Sequence, residues 1–302
     1  MPGLAADALP WALPALAGAA AAAHAFRALT LDRIVEHSEE AFFSPRVPEA
    51  LDGYRIALVT DVHGIGDGKL ERAARRLSAG GVGLLLLGGD FHRDAERAAR
   101  SIGILAGVRA ADGIFAVEGN HDSRDALFPA MRANGIAPLL NSGARVRDGL
   151  FLGGASDPRA FPPEPSAAQA VSGAAPGDFV LLLSHNPDIA MSQPTAGIDL
   201  ILSGHTHGGH VALFGLWAPA LSLSKAVTSH GRRFMSGWAR SRDGVPVFVS
   251  RGIGGCYPRA FARPQAAVVT LRRGPESRSE PRGGRRRGAG PSRPRKQPPA
   301  AP

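Results

Sequence analysis

An α/β fold that carries its chemistry at the ends of buried strands is predicted by three observations. Short, continuous apolar runs recur along the chain, at Tyr54–Thr60, Val82–Leu87, Gly113–Val117, Phe179–Leu183 and Ile198–Leu202. Stretches of helical spacing separate the early runs: Leu70, Ala73, Ala74 and Leu77 fall on one face between Lys69 and Ala79, and a second amphipathic segment covers about Asp94 to Gly107. Each run also stops on a polar cluster rich in glycine, aspartate, asparagine and histidine. Open α/β sheets place their ligands beyond the carboxyl ends of strands, where such clusters would lie.

The most informative cluster is Ser203-Gly204-His205-Thr206-His207-Gly208-Gly209. Residues i and i+2 of an extended segment point the same way, and the flanking glycines let the backbone turn sharply and approach a ligand closely. Asp61-Val62-His63 repeats the i, i+2 logic after the first run, giving a carboxylate and an imidazole on one side. Gly88-Gly89-Asp90 places a carboxylate after two glycines. Gly119-Asn120-His121-Asp122 supplies an amide, an imidazole and a carboxylate ahead of a helix expected over Ser123–Asn134. His185 ends the next run, with Pro187 placed to open a helix.

Composition narrows the chemistry. The chain has 302 residues and a formal net charge of +9. From Arg272 onward there are ten Lys/Arg and two Asp/Glu, so residues 1–271 carry only about +1. A near-neutral domain has no global footprint for nucleic acid. A single cysteine, Cys256, excludes an intrachain disulfide and a thiolate metal cluster. Any metal must therefore be held by His, Asp, Glu or Asn.

The ends of the chain read differently from its middle. Ala8–Phe26 contains no charged residue, and its nineteen positions would just span a bilayer core, although ten are alanine. This segment, residues 1–28, reads as a membrane anchor or interfacial helix. A secretory signal cut at Ala23-His24-Ala25 competes with it but lacks a positive n-region in residues 1–7. Leu29–Gly53 is expected to be an irregular approach. Leu139–Gly154 reads as short strands and residues 159–176, rich in Pro and Ala, as a surface excursion. Val211–Phe214 is expected in the core, while the stretch from there to Leu221 is either core or an exposed lip suited to an acyl chain or a bilayer. Val245–Ser250 and Ala266–Leu271 close the domain, which spans residues 29–271. Residues 272–302 are expected to form a disordered basic tail.

Seven oxygen and nitrogen donors thus arrive at strand ends: Asp61, His63, Asp90, Asn120, His185, His205 and His207. That exceeds what one tetrahedral ion uses and divides naturally between two ions sharing a carboxylate. Two divalent ions against two aspartates leave about +2, or about +1 with a hydroxide, which would attract a phosphate without an arginine cluster.

The five blocks, in this order and spacing, resemble the calcineurin-like metallophosphoesterase superfamily over about residues 52–271. Ser203–Gly209 with Val249–Gly254 is similar to the membrane-anchored branch, which holds phosphodiesterases and UDP-2,3-diacylglucosamine pyrophosphatases of lipid A biosynthesis. The resemblance implies a four-layer αββα sandwich of two mixed sheets flanked by helices. It implies that Asp61, His63 and His207 hold one ion, that Asn120, His185 and His205 hold the other, and that Asp90 bridges them, the ions being Mn, Fe or Zn. It further implies direct attack on phosphorus by a metal-bridging hydroxide, with His121 as hydrogen-bond donor or acid and Asp122 orienting its ring. Two departures stand out: His210 replaces the branch's usual Gln, and Phe91-His92-Arg93-Asp94 replaces its pattern after the bridging aspartate. The implied function is hydrolysis of a phosphodiester or pyrophosphate, with a lipid-linked nucleotide sugar at a membrane as the specific expectation. Generic phosphodiesterase or phosphomonoesterase activity on soluble substrates is the alternative, and a scaffold or nucleic-acid binder using the basic tail is the non-enzymatic one.

Overall fold

The computed structural model describes residues 9–160, 162–223, 225, 227–255 and 258–275. The expected disordered tail lies almost wholly outside them, as does Cys256. A 21-residue helix, α1 (Leu9–Leu29), leads through a 3-10 turn at Leu31–Arg33 into β1 (Glu36–Ser44) and β2 (Arg55–Val59). Then come α2 (Asp67–Ala79), β3 (Leu84–Leu87), α3 (Ala95–Ala106), β4 (Ile114–Ala116), α4 (Arg124–Ala133) and β5 (Ala137–Pro138). The chain next builds β6 (Ser142–Arg147), β7 (Leu150–Ala155), the single turn α5 (Ala167–Ala170), β8 (Phe179–Ser184), α6 (Ile189–Ser192) and β9 (Leu200–Ser203). It ends with α7 (Pro219–Ser222), β10 (Gly237–Arg240), β11 (Pro246–Val249) and β12 (Gln265–Arg273).

Two six-stranded sheets result, ordered β1-β12-β2-β3-β4-β5 and β10-β11-β9-β8-β7-β6. Both are mixed. β2, β3, β4 and β5 run parallel, while β12 is antiparallel to β2 and parallel to β1. β7, β8, β9 and β11 run parallel between antiparallel edges β6 and β10.

The continuous apolar runs are explained by burial on both faces. Ile56, Leu58, Leu84 and Leu86 meet Leu181, Leu183, Leu200 and Leu202 in one cluster between the sheets. The alternate residues Ala57, Val59, Leu85 and Leu87 face Leu70, Ala73, Leu77 and Ile102 of α2 and α3. On the far side, Val180, Leu182 and Ile201 pack on Ala167, Ala170 and Ile189. Helices, sheet, sheet and helices thus form four layers. The helix ends agree with the sequence: Asp94 caps α3 by accepting from Arg97 N at 2.9 Å, and Gly80 and Gly107 close α2 and α3.

Two expectations need correction. The approach Leu29–Gly53 holds a nine-residue strand, β1, paired in register along β12. Its Glu36, Glu39 and Glu40 hid it from an apolar pattern, yet each has a partner: Arg251, Arg55 and Trp238 Nε1. Val211–Phe214 is not core. Only Ala212 is buried there, while Leu213 and Phe214 are 39% and 54% exposed. Two isolated bridges, Val211 with Ala260 and Leu213 with Trp217, hold this segment, so it never joins a sheet.

Replacing Leu86 with Ala should lower stability by about 2–5 kcal/mol, because the inter-sheet layer cannot collapse around the void. Leu216→Ala, at an exposed position, should stay within about 0.5 kcal/mol. Equal shifts in urea unfolding would contradict this placement of the core.

Candidate metal centre

Every sequence-marked donor arrives at one mouth of the double sheet. β2 delivers Asp61 and His63, β3 delivers Asp90, the loop after β4 delivers Asn120, β8 delivers His185, and β9 delivers His205 and His207. Two groups could hold a metal: Asp61, His63, Asp90 and His207, and Asp90, His185 and His205. Within each group the ligand atoms lie within 4.8 Å of one another, and Asp90 belongs to both. Asn120 Oδ1 lies 3.3 Å from His185 Nε2, which adds it to the second group.

The spacing suits a metal. His63 Nε2 and His207 Nε2 are 3.2 Å apart, His185 Nε2 and His205 Nδ1 3.1 Å, and His207 Nε2 and Asp61 Oδ1 3.4 Å. Donors at ~2.05 Å from a tetrahedral ion stand roughly 3.3 Å from each other. Asp61 Oδ1 is buried with no hydrogen-bond partner among the described residues, the state expected of an oxygen reserved for a cation. Its other oxygen is occupied, accepting from Thr60 Oγ1 at 2.6 Å and His205 N at 3.1 Å.

Second partners set which ring nitrogen faces inward. His185 Nδ1 meets Gly88 O at 2.6 Å, leaving Nε2 for the site. His205 does the reverse: Nε2 meets Val227 O at 2.8 Å and Nδ1 turns inward. Burial alone would raise the Asp61 and Asp90 carboxyls. The adjacent imidazoles, His207 and His185 for Asp61 and His185 for Asp90, overturn that and hold both below the usual carboxylate range. Burial pushes His63, His205 and His207 down, toward the neutral form that ligates. His185 goes up despite its burial, because the Asp90 charge and hydrogen bond favour its cation.

The backbone is strained at the same place. Asp61, Asp90, His205 and His207 all have positive φ, at 54°, 58°, 71° and 51°. Non-glycine residues seldom sit there, and such residues persist only where their surroundings over-determine them. Glycines make the room: a Cβ on Gly204 would fall 2.5 Å from Asp61 Oδ2, and one on Gly119 would strike the Asp90 carboxylate.

The loop after β4 departs from expectation. Asp122 does not orient the His121 ring. Its oxygens accept from the backbone N–H groups of Asp90 at 2.8 Å, Phe91 at 2.8 Å and Gly119 at 2.9 Å, which clamps two loops together. Enclosure and the Asp90 charge push the Asp122 carboxyl up to about 7, against those backbone donors. Instead, Arg93 meets His121 Nδ1, through Nε at 3.1 Å and Nη2 at 2.8 Å. Guanidinium only donates, so Nδ1 accepts and the ring proton sits on Nε2. The His121 ring stands 5.4 Å from that of His63, beside the donors.

Sequence reading also passed over Arg259. Fully buried, it donates to the carbonyls of His207 at 3.0 Å, Gly252 at 3.2 Å and Arg251. It thereby fixes the glycine-rich turn, whose Ile253 and Gly254 N–H groups donate to Thr60 O and Asp61 O at 2.9 and 2.7 Å. Nothing in its sequence surroundings marks it. A lone arginine in a loop reads as a surface charge.

Carboxylate, imidazole and amide donors at the mouth of a four-layer α/β sandwich are the parts that a metal-dependent hydrolase requires. Residues 54–209 match the family model of the calcineurin-like phosphoesterases, and the chain belongs to that family. It is 28% identical over 250 residues to a transmembrane protein with metallophosphoesterase domain from Danio rerio, covering 75% of this chain and 55% of that protein. The chain thus spans about half the length of that relative. It is 24% identical over 254 residues to the uncharacterized metallophosphoesterase YkuE of Bacillus subtilis (strain 168), covering 79% and 86% of the two chains. The crystal structure of Phosphopantetheinyl Hydrolase (PptH) from Mycobacterium tuberculosis aligns with a TM-score of 0.39 at 13% identity, over 69% of this chain and 91% of that one.

Gly119→Ala tests the packing argument. Its side chain should displace Asp90 and weaken Mn(II) binding by about tenfold or more, with cooperative unfolding retained. Unchanged affinity in calorimetry would show that the close approach of Gly119 to Asp90 is irrelevant to the site.

Proposed function

We propose that this chain hydrolyses a phosphodiester or pyrophosphate bond at a pair of divalent ions. The observation that carries the reading is the convergence of two donor groups on one shared carboxylate, Asp90. Asp61, His63 and His207 would hold one ion, and Asn120, His185 and His205 the other. The oxygen and imidazole donors suit Mn, Fe or Zn. Two ions held there would supply an acidified water and charge to offset that developing on a transferred phosphoryl group.

The chain's own residues supply the rest. His121 presents Nε2–H beside the donor groups, where it would hydrogen-bond a phosphoryl oxygen or hand a proton to the leaving oxygen. Arg93 positions it: two donors on Nδ1 fix both the ring plane and the tautomer. Asp122 acts one step further back, holding the Asp90–Phe91 and Gly119 backbones at the spacing the donors require.

The finer reading is a lipid-linked substrate, such as a diacylated nucleotide sugar. Its support is the exposed apolar segment from Val211 to Leu216, one residue beyond His210, and the long apolar helix α1. Among the described residues α1 is the one helix long and apolar enough to cross a membrane. Two relatives carry the word transmembrane in their names.

Chelation should abolish turnover of bis-nitrophenyl phosphate, and added Mn(II) should restore it. Activity that survives removal of metal would overturn the proposal. His121→Ala should slow alkyl esters far more than nitrophenyl esters, on the order of 10²-fold or more, since only the former need a proton on the leaving oxygen. Equal slowing would assign His121 to charge binding alone. Arg93→Ala should produce a milder version of the same leaving-group dependence and Arg93→Lys should restore part of it. An effect on KM alone would remove Arg93 from this role.

A further inference from the structure

The near-neutral charge of residues 1–271 conceals an uneven distribution. Arg33, Lys69, Arg72, Arg75 and Arg76 converge with His37 on a cavity of about 440 Å³. No carboxylate lines it among the described residues, although Arg75 pairs with Glu71 of the same helix at 3.5 Å. Arg72, Arg75 and Arg76 lie on the exposed face of α2, and Arg33 on the turn that ends α1. Lys69 Nζ donates to Arg33 O at 3.0 Å, which ties the two elements together. Burial first, then the charges of Arg76 and Arg263, push the His37 pKa down against the Glu39 charge.

An apolar patch meets α1 itself. Leu213, Phe214 and Leu216 are 39%, 54% and 56% exposed. Phe214 does not hang free. Its ring packs 4.8 Å from His24 of α1 and 5.7 Å from Phe261, and its N–H donates to His24 Nε2 at 3.3 Å. Arg27 sits 4.4 Å over Phe261, and Asp32 accepts from Phe261 N at 2.7 Å. The last turns of α1 are therefore seated on the apolar lip, the basic cavity begins at Arg33 on the turn that follows, and residues 12–19 of the helix are exposed.

We propose that the domain rests on an anionic phospholipid surface through these two patches, the lip entering the acyl boundary and the α2 cavity taking lipid phosphates. Three features of the surface single out a bilayer. The lip packs on an apolar helix long enough to enter one. Exposed aliphatic and aromatic side chains beside a cationic cluster match the two layers of a lipid surface, acyl chains and headgroups. The basic cluster also includes Arg33 on the turn directly after the apolar helix, where cations meet anionic headgroups. Docked this way, the lip would hold the segment just beyond His207 and His210 at the lipid surface, within reach of a phosphate borne there. The inference rests on α1 engaging the membrane, not on the hydrolytic reading, and the two can fail separately.

Flotation of the full-length, metal-loaded chain with phosphatidylcholine vesicles, with and without phosphatidylglycerol, tests it. Because α1 is rich in alanine, its own transfer is weak and leaves the contribution of the patches visible. The parent chain should prefer vesicles containing phosphatidylglycerol. Arg72→Glu with Arg76→Glu should reduce that preference on the order of tenfold. Leu213→Ser with Leu216→Ser should weaken binding to both vesicles, and both pairs should keep the parent's unfolding midpoint and its turnover of a soluble diester. Because the basic tail is present in every variant, it cancels in the comparison. Charge reversal that leaves the preference unchanged would overturn the cavity as a headgroup site, and serine substitutions without effect would overturn the lip. Loss of soluble turnover in every chain, with lipid binding intact, would instead strike the hydrolytic reading.

Discussion

The structure depends on keeping the Asp90 carboxylate buried between two sets of imidazoles. An isolated buried carboxylate is costly in a low-dielectric interior and survives there only when paired or ligating. Asp90 manages this with one oxygen on the His121 N–H at 2.8 Å and the other 3.4 Å from His185 Nε2. Around it, four donor residues adopt left-handed backbone and four loops are braced, by Asp122 on one side and Arg259 on the other. The apolar layer between the sheets supplies the stability against which this strain is held. Function and instability are thus concentrated at one end of a well-packed scaffold.

Much of this was legible in the residue pattern, for a definite physical reason. Strands buried on both faces leave continuous apolar runs, and the polar residue that stops each run is the one the fold points at the site. Asp61, His63, Asp90, Asn120, His185, His205 and His207 all announce themselves that way, and all converge. Pairs at i, i+2 were informative because the chain there is extended and then turns on glycine.

The rest was hidden because it depends on partners distant in sequence. β1 opens on Glu36-His37-Ser38-Glu39-Glu40, with no apolar alternation, and becomes a strand only because β12 returns to pair with it. Val211–Phe214 reads as core by composition, yet its neighbours are α1 and Phe261 and not a sheet. Arg93 and His121 are 28 positions apart, and nothing local says that a guanidinium will stand where an aspartate was expected. Asp122 looked like a ring-orienting carboxylate because it follows a histidine, but backbone donors from two loops claim its oxygens first.

The most direct test of the account is electron paramagnetic resonance of the chain loaded with Mn(II), titrated to saturation. Two ions per chain, as proposed, would lie ~3.5–4 Å apart and be seen as an exchange-coupled pair that separates into uncoupled or missing ions in Asp90→Asn. One ion per chain at saturation, or a spectrum of isolated Mn(II) that Asp90→Asn leaves unchanged, would contradict it.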